Sequence, residues 1–303
     1  MHKPTTLVIN WHLTEVCNYR CQYCYATWNE SSHHRELIHN PEKTIALMSE
    51  LHQFFKPSSH KNILGKKMEW NAVRINFAGG EPLLYTEKIP SIINHAKELG
   101  FEVSMITNGS QLSEDLLGRL APQLSWLGIS IDSINPVTNN NIGRIDRRGR
   151  LLNYETLAQH LIDARKSNPN LRIKLNTVVN QLNYHEDLST FIKHLAPNKW
   201  KVLRMLPVVN HNLTVSDEQF KTFVTRHHEF HDILSVEDNH DMHESYLMID
   251  PYGRFFQNKP QLEGQGYNYS QPILEVGAAA AFAKMTFDIE RFIARYVVTK
   301  SDD

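Results

Sequence analysis

All three cysteines of the chain fall within eight residues, as Cys17-Asn-Tyr-Arg-Cys21-Gln-Tyr-Cys24. An odd number crowded into one short segment makes a poor disulfide framework, and a reducing compartment would not favour one. The spacing leaves three readings. The thiols could simply be neighbours. They could belong to a zinc site, which ordinarily asks for a fourth ligand nearby and for paired CxxC arms. Or they could hold an iron–sulfur cluster, since thiolates are its usual ligands and three of them leave one iron of a four-iron cluster open. An open iron is what a catalytic cluster needs.

Two further motifs close stretches that read as strands: Gly79-Gly80-Glu81-Pro82 and Asn108-Gly109-Ser110. Adjacent glycines let backbone approach a ligand closely, and Glu81 supplies a carboxylate for an ammonium group. A third group is basic and scattered: Arg74, Lys174, Lys199 and Lys201.

The elements that must position these residues alternate. Strands are expected at Thr6–Leu13, Val73–Phe77, Glu102–Thr107, Leu127–Ile131, Arg172–Val178 and Lys199–Leu206. Helices are expected near Pro41–Phe55, Thr86–Leu99, Ser113–Leu120, Tyr154–Lys166 and His185–Leu195. Six strands alternating with helices imply parallel βαβ units, and right-handed crossovers would curve them into an α/β fold, a partial (βα)6 TIM-like barrel. From His211 the pattern changes to a helix over Ser216–His231, a hairpin over Ser245–Gln257 and a short Ala-rich helix near Gly277–Met285. The expected division is residues 1–210 for the barrel and 211–303 for an extension that caps the substrate site.

Strand side chains alternate between faces. Leu7, Ile9 and Trp11 oppose Asn10, His12 and Thr14; Val73, Ile75 and Phe77 oppose Arg74 and Asn76; Ile129 and Ile131 oppose Ser130 and Asp132. Ile173 and Leu175 oppose Lys174 and Asn176, and Trp200 and Val202 oppose Lys199 and Lys201. Parallel strands covered by helices usually read as continuous apolar runs. Here a polar face would look into the barrel, where an uncompensated Lys or Arg is disfavoured. Asp132 can offset one charge but four cations outnumber it, so a bound polyanion is the simplest remedy and a triphosphate the natural one. A wet interior with snorkelling lysines is the alternative. Chemistry in such barrels sits at the C-terminal ends of strands, where the cysteine segment and both glycine motifs fall.

The 303 residues carry a net charge of −1, which excludes a global field drawing the chain to nucleic acid or anionic lipid. No signal peptide and no 18-residue apolar stretch is present, so a cytoplasmic protein is expected. Among 17 histidines, His227 and His231 stand four apart on an expected helix and could hold zinc, although a solvated helix face is the plainer reading.

The pairing of CxxxCxxC with GGEP resembles the radical S-adenosylmethionine superfamily. Longer blocks sharpen this: Asn10-x-His12-x-Thr14, Ile75-Asn76-Phe77, Asn108-Gly109-Ser110, Ile142-Gly143-Arg144, Lys174-x-Asn176, Trp200-Lys201-Val202, Ser245-Tyr246-Leu247 and Arg254-Phe255 resemble the viperin family of antiviral nucleotide dehydratases. The resemblance implies a [4Fe–4S] cluster on Cys17, Cys21 and Cys24 and S-adenosylmethionine as cofactor. Cofactor-binding residues implied are Asn10, Tyr23, Gly79, Gly80, Glu81, Asn108, Ser130 and Arg144. Arg74, Asn76, Lys174, Asn176, Lys199 and Lys201 would hold a nucleoside triphosphate (CTP, UTP or GTP), with Tyr296 closing over it. The implied enzyme is a lyase that makes a 3′-deoxy-3′,4′-didehydro nucleotide, a chain terminator suited to anti-phage defence. Flavodoxin or ferredoxin would donate electrons to a monomer needing neither membrane nor nucleic acid; the first strand begins almost at Met1, so no membrane anchor is expected. Rival readings are another single-cluster enzyme of the superfamily and a zinc-stabilised nucleotide-binding module.

Overall fold

The computed structural model describes residues 6–26, 35–57, 59, 62–209, 211–258 and 266–295. Its first six strands alternate with helices: β1 (Thr6–His12), α1 (Pro41–Phe55), β2 (Ala72–Ala78), α2 (Ile89–Glu98), β3 (Glu102–Thr107), α3 (Glu114–Leu120), β4 (Trp126–Ser130), α4 (Pro136–Ile142), α5 (Tyr154–Ser167), β5 (Arg172–Val179), α6 (Ser189–Leu195) and β6 (Lys199–Arg204). Then come α7 (Asp217–Arg226), β7 (Leu234–Glu237), β8 (Leu247–Ile249), β9 (Arg254–Asn258), β10 (Tyr267–Pro272), α8 (Ile273–Val276), α9 (Ala278–Phe282) and α10 (Ile289–Ala294). This is the expected α/β class, a partial (βα)6 TIM-like barrel with a C-terminal extension.

The described residues of Met1–Val16, Ala26–Met105 and Asp241–Val298 form one compact unit. In it β1 lies parallel to β2 and to β8, β2 parallel to β3, and β8–β9–β10 run antiparallel. Leu7, Ile9 and Trp11 on β1 and Ile75 and Phe77 on β2 are fully buried. Asn40 caps α1 ahead of Pro41, and the rings of Phe54 and Phe55 at the other end of α1 meet Phe282, Phe55 also meeting Phe255. Cap and aromatic anchor place α1 by its ends.

The described residues of Cys17–Tyr25 and Ile106–His240 form the second unit. Here β4, β5, β6 and β7 are parallel in that order. Trp200 on β6 sits at the centre, edge-on to Phe223, His227 and Phe230.

Several expectations change. The helix expected over Ser216–His231 ends at Arg226, and His227 is fully buried. Its Nε2 accepts the Leu188 amide at 2.9 Å, and Nδ1 lies 2.9 Å from the Phe223 carbonyl, so neither nitrogen is left for zinc and the residue is no part of a solvated face. Strand β7 and helix α4 are additional to the elements that the sequence predicts. Among the described residues no helix is long and apolar enough to cross a membrane.

Candidate active site

The site is best built from its glycines. Gly79 and Gly80 carry β2 past its end, where the Gly80 amide donates to the Thr14 carbonyl at 2.6 Å and the Glu81 amide to the Val16 carbonyl at 2.9 Å. A Cβ on Gly80 would overlap the Val16 and Glu15 carbonyls, and Gly79 has φ +139. The close approach that demands glycine is therefore to the chain entering the cysteine segment. From the other side Glu36, itself buried, accepts the Thr14 hydroxyl at 2.6 Å and the Glu15 amide at 2.8 Å. Glu81 is also buried, and its carboxylate accepts the Leu83 amide at 2.9 Å, capping the turn Pro82–Tyr85.

Within the second unit the cysteine segment is held along both edges. The Arg20 amide donates to the Gly143 carbonyl and the Gln22 amide to the Ile142 carbonyl, each at 3.0 Å. Gly143 caps α4 with φ +92, and a Cβ there would overlap the Arg20 carbonyl. Opposite, Asn108 donates to Asn18 Oδ1 at 2.9 Å and to Cys17 Sγ at 3.8 Å, while Asn18 donates to Ser110 Oγ at 2.8 Å. The Tyr19 amide donates to the same sulfur at 3.4 Å.

Arg144 joins this segment to the strands. It lies over the Tyr19 ring, donates to Asp132 Oδ2 at 3.1 Å and to the Ser130 carbonyl, and is buried with its partner. Asp132 is held further by the Val178 amide at 2.8 Å, and its backbone carbonyl accepts Asn183 at 2.8 Å. Burial works against the Arg144 charge, yet Asp132 beside it keeps the guanidinium protonated well above its ordinary range. Burial pushes the Asp132 carboxyl up, with Arg144 pulling it back. The Cys21 thiol is pushed up to about 12 by burial, and Arg144 pulls it down.

The basic rows stand in register. Lys174 lies beside Lys199, and Asn176 beside Lys201 on one side and Ser130 on the other. Lys201 meets Glu237 of β7 at 2.6 Å. In the first unit Asn10, Asn76 and Ser104 form one polar rung, with Asn76 donating to Asn10 at 2.9 Å and Ser104 to Asn76 at 2.8 Å. Arg74 pairs with Glu102 at 3.0 Å through Nε and through Nη2. Arg74 and Lys201 thus have carboxylates from neighbouring strands, and Asp132 serves Arg144 instead. The charge imbalance that argued for a polyanion is smaller than the sequence suggests. The sequence does not announce Glu102, Glu237 and Ser104, because a partner across strands depends on register, although the parity of Ser104 and Glu102 matches that of Arg74 and Asn76; Glu36 precedes the turn Leu37–His39 and reaches Thr14 through a contact that no local pattern marks. Tyr296 lies outside the described residues.

The residues fit the expected cofactors on two observations. Tyr23 Oη and Arg144 Nε are buried without a partner among the described residues, and heteroatoms of a ligand would satisfy them. The N–H donors at Cys17 suit an ionised, metal-bound sulfur. Tyr23 packs with Ile142, Met205 and Leu213, an apolar setting for a flat ring.

Comparison with known proteins agrees with this chemistry. The radical SAM superfamily model matches residues 11–179. An S-adenosylmethionine-dependent nucleotide dehydratase of Pseudoalteromonas ulvae is 43% identical over 290 residues, covering 96% of this chain and 92% of the relative. A protein of the same name from Psychrobacter lutiphocae is 42% identical, covering 96% and 94%. The solved structure of native anSMEcpe with bound AdoMet and Kp18Cys peptide is alike in fold, with TM-score 0.64 at 14% identity over 97% of this chain and 85% of that one. With the CxxxCxxC segment, the GGE turn and near-full-length identity all in agreement, the chain belongs to the radical SAM superfamily and, within it, to the S-adenosylmethionine-dependent nucleotide dehydratases.

Proposed function

We propose that this enzyme removes water from a ribonucleoside triphosphate, with CTP, UTP or GTP as substrate, and releases the 3′-deoxy-3′,4′-didehydro nucleotide. The observation that carries the reading is the pair of in-register polar rows, Lys174 with Lys199 and Ser130, Asn176 and Lys201 in the next, on strands joined through Asp132 and Arg144 to the cysteine segment. Cys17, Cys21 and Cys24 would hold the cluster and the residues below S-adenosylmethionine, and together these would supply radical chemistry for removal of the C4′ hydrogen of the ribose. The remaining change on the nucleotide is loss of the 3′-hydroxyl as water, with one proton and one electron added.

The chain's part is to hold and orient. Lys174, Lys199 and Lys201 offset phosphate charge, and Glu237 keeps the Lys201 ammonium in one place before substrate arrives. Asn176, Arg74 and Asn76 add hydrogen bonds to the substrate. Ser130 and Arg144 take the cofactor's ribose and carboxylate, Glu81 with the Gly79–Gly80 backbone its amino group, Tyr23 its adenine, and Asn10 and Asn108 support them. Positioning of this kind is what a protein contributes where the cofactor carries the difficult chemistry. The reading includes a cytoplasmic monomer reduced by flavodoxin or ferredoxin, without nucleic acid or membrane, and a role in defence against phage.

The test is an anaerobic assay of reconstituted protein with dithionite, S-adenosylmethionine and each of the four nucleoside triphosphates, followed by mass spectrometry. Formation of 5′-deoxyadenosine with one nucleotide lighter by one water is the expected result. Cofactor cleavage with every nucleotide unchanged would overturn the substrate.

A further inference from the structure

Asn108 is held in a single orientation by its own neighbours. Its Oδ1 accepts the Ser110 amide at 2.9 Å, so its Nδ2 must face the other way. That nitrogen has two hydrogens, and two acceptors stand before it: Asn18 Oδ1 at 2.9 Å and Cys17 Sγ at 3.8 Å. The turn that aims it is built locally. Thr107 Oγ1 accepts the Gly109 amide at 3.1 Å, and Gly109 takes φ +83, a conformation that side chains disfavour. Only 8% of Asn108 is exposed, so the N–H to sulfur bond sits where water competes little and an electrostatic contact counts for more.

We infer that Asn108 is a positioning residue that sets the reduction potential of the cluster through its hydrogen bond to Cys17. The inference rests on Cys17 being a cluster ligand, as proposed above. A cluster that gains one electron from its donor becomes more negative, and part of that charge resides on the ligand sulfurs. An N–H pointed at such a sulfur stabilises the reduced state more than the oxidised one, and so raises the potential. The Tyr19 amide does the same to Cys17 from the backbone and survives any side-chain change, so the Asn108 contribution can be removed alone. A cofactor that must be reduced before any substrate reacts gains from a donor that eases that reduction.

A loop clamp and a redox role predict different results, because Asn18 shares the clamp but faces the sulfur only with an acceptor: its Oδ1 takes the Cys17 thiol at 4.0 Å, a bond that an ionised ligand sulfur does not donate. Asn18→Ala removes the contacts from Asn108 and to Ser110, and leaves Nδ2 of Asn108 facing Cys17. Asn108→Ala and Asn108→Ser would be reconstituted anaerobically beside Asn18→Ala and the parent chain. Iron and sulfide content comes first, then a potentiometric titration with low-potential mediators, followed by electron paramagnetic resonance of the reduced cluster. The expected result is a potential more negative than the parent's in whichever Asn108 variant loads its cluster, with Asn18→Ala close to the parent. An unshifted Asn108 variant, an equal shift in Asn18→Ala, or failure of both Asn108 variants to load would each overturn the redox role. Cys17→Ala separates this from the ligation reading: full iron content in that variant would overturn ligation by Cys17, whatever the potentials show.

Discussion

Leu13–Val16 and Cys17–Cys24 are consecutive in the chain, yet they are held by different means. The first stretch is held chiefly by main chain: Leu13 donates to the Ala78 carbonyl, and the amides of Gly80 and Glu81 return the bond to Thr14 and Val16. It is a ladder continued past the end of β1 and β2, possible only because two glycines permit the approach. The second stretch has a ladder on one edge, against Ile142 and Gly143, and amide side chains on the other, where Asn108, Asn18 and Ser110 interlock. The Arg144 guanidinium lies over the Tyr19 ring of this stretch and is itself held by an ion pair with Asp132. The lesson is that the chain entering the cysteine segment is set by backbone shape, whereas the segment itself is set by a polar network that can be tuned one atom at a time.

The comparison breaks most severely at its glycines. Gly80→Ala and Gly143→Ala should each lower product formation by about 100-fold, since an overlapping Cβ must displace the chain it faces by the order of an ångström. Anaerobic turnover with iron content as a second readout checks this; near-parental activity in either would mean that the backbone there yields freely. Next comes the ionic tie. Asp132→Ala leaves Arg144 buried and unpaired and should destabilise the fold by about 3–5 kcal/mol, read by calorimetry. The counterpart in the first stretch is smaller. Glu36→Ala takes the acceptor from the Thr14 hydroxyl and the Glu15 amide and should cost about 2 kcal/mol. If Glu36→Ala proved as costly as Asp132→Ala, the supposed contrast between the two stretches would be gone.

What was legible in advance follows the same division. Strand alternation placed Asn10, Asn76, Lys174, Asn176, Lys199 and Lys201 on polar faces, because period two survives any choice of neighbour. Adjacent glycines suggest a cradle for a ligand, yet the chain they touch is Thr14–Val16, a contact between segments that no local pattern announces. Glu102 and Glu237 could not be paired with Arg74 and Lys201 without the register of β2 with β3 and β6 with β7. Four residues, Leu234–Glu237, are too few for alternation to declare a strand, so β7 and its carboxylate went unseen. Helix α4 is poor in helix formers, yet its ends were marked by Asn135-Pro136 and Gly143, a cap signal that could have found it.

The last effect is read as a slope and concerns protons. His12, the last residue of β1, is buried, and burial lowers its pKa from 6.5 to about 3. The folded chain therefore keeps the ring neutral while the unfolded chain binds a proton below pH 6.5. The stability that this contributes is complete above 6.5 and is lost as pH falls toward about 3, at a slope of about 1.4 kcal/mol per pH unit. His12→Gln should flatten that part of the stability curve, measured by denaturant unfolding between neutral and mildly acidic pH. Because His12 leads directly into Thr14–Val16, the acid-weakened element is the one that carries the backbone ladder. A curve unchanged by His12→Gln would place the acid sensitivity elsewhere and remove the last distinction drawn between the two stretches.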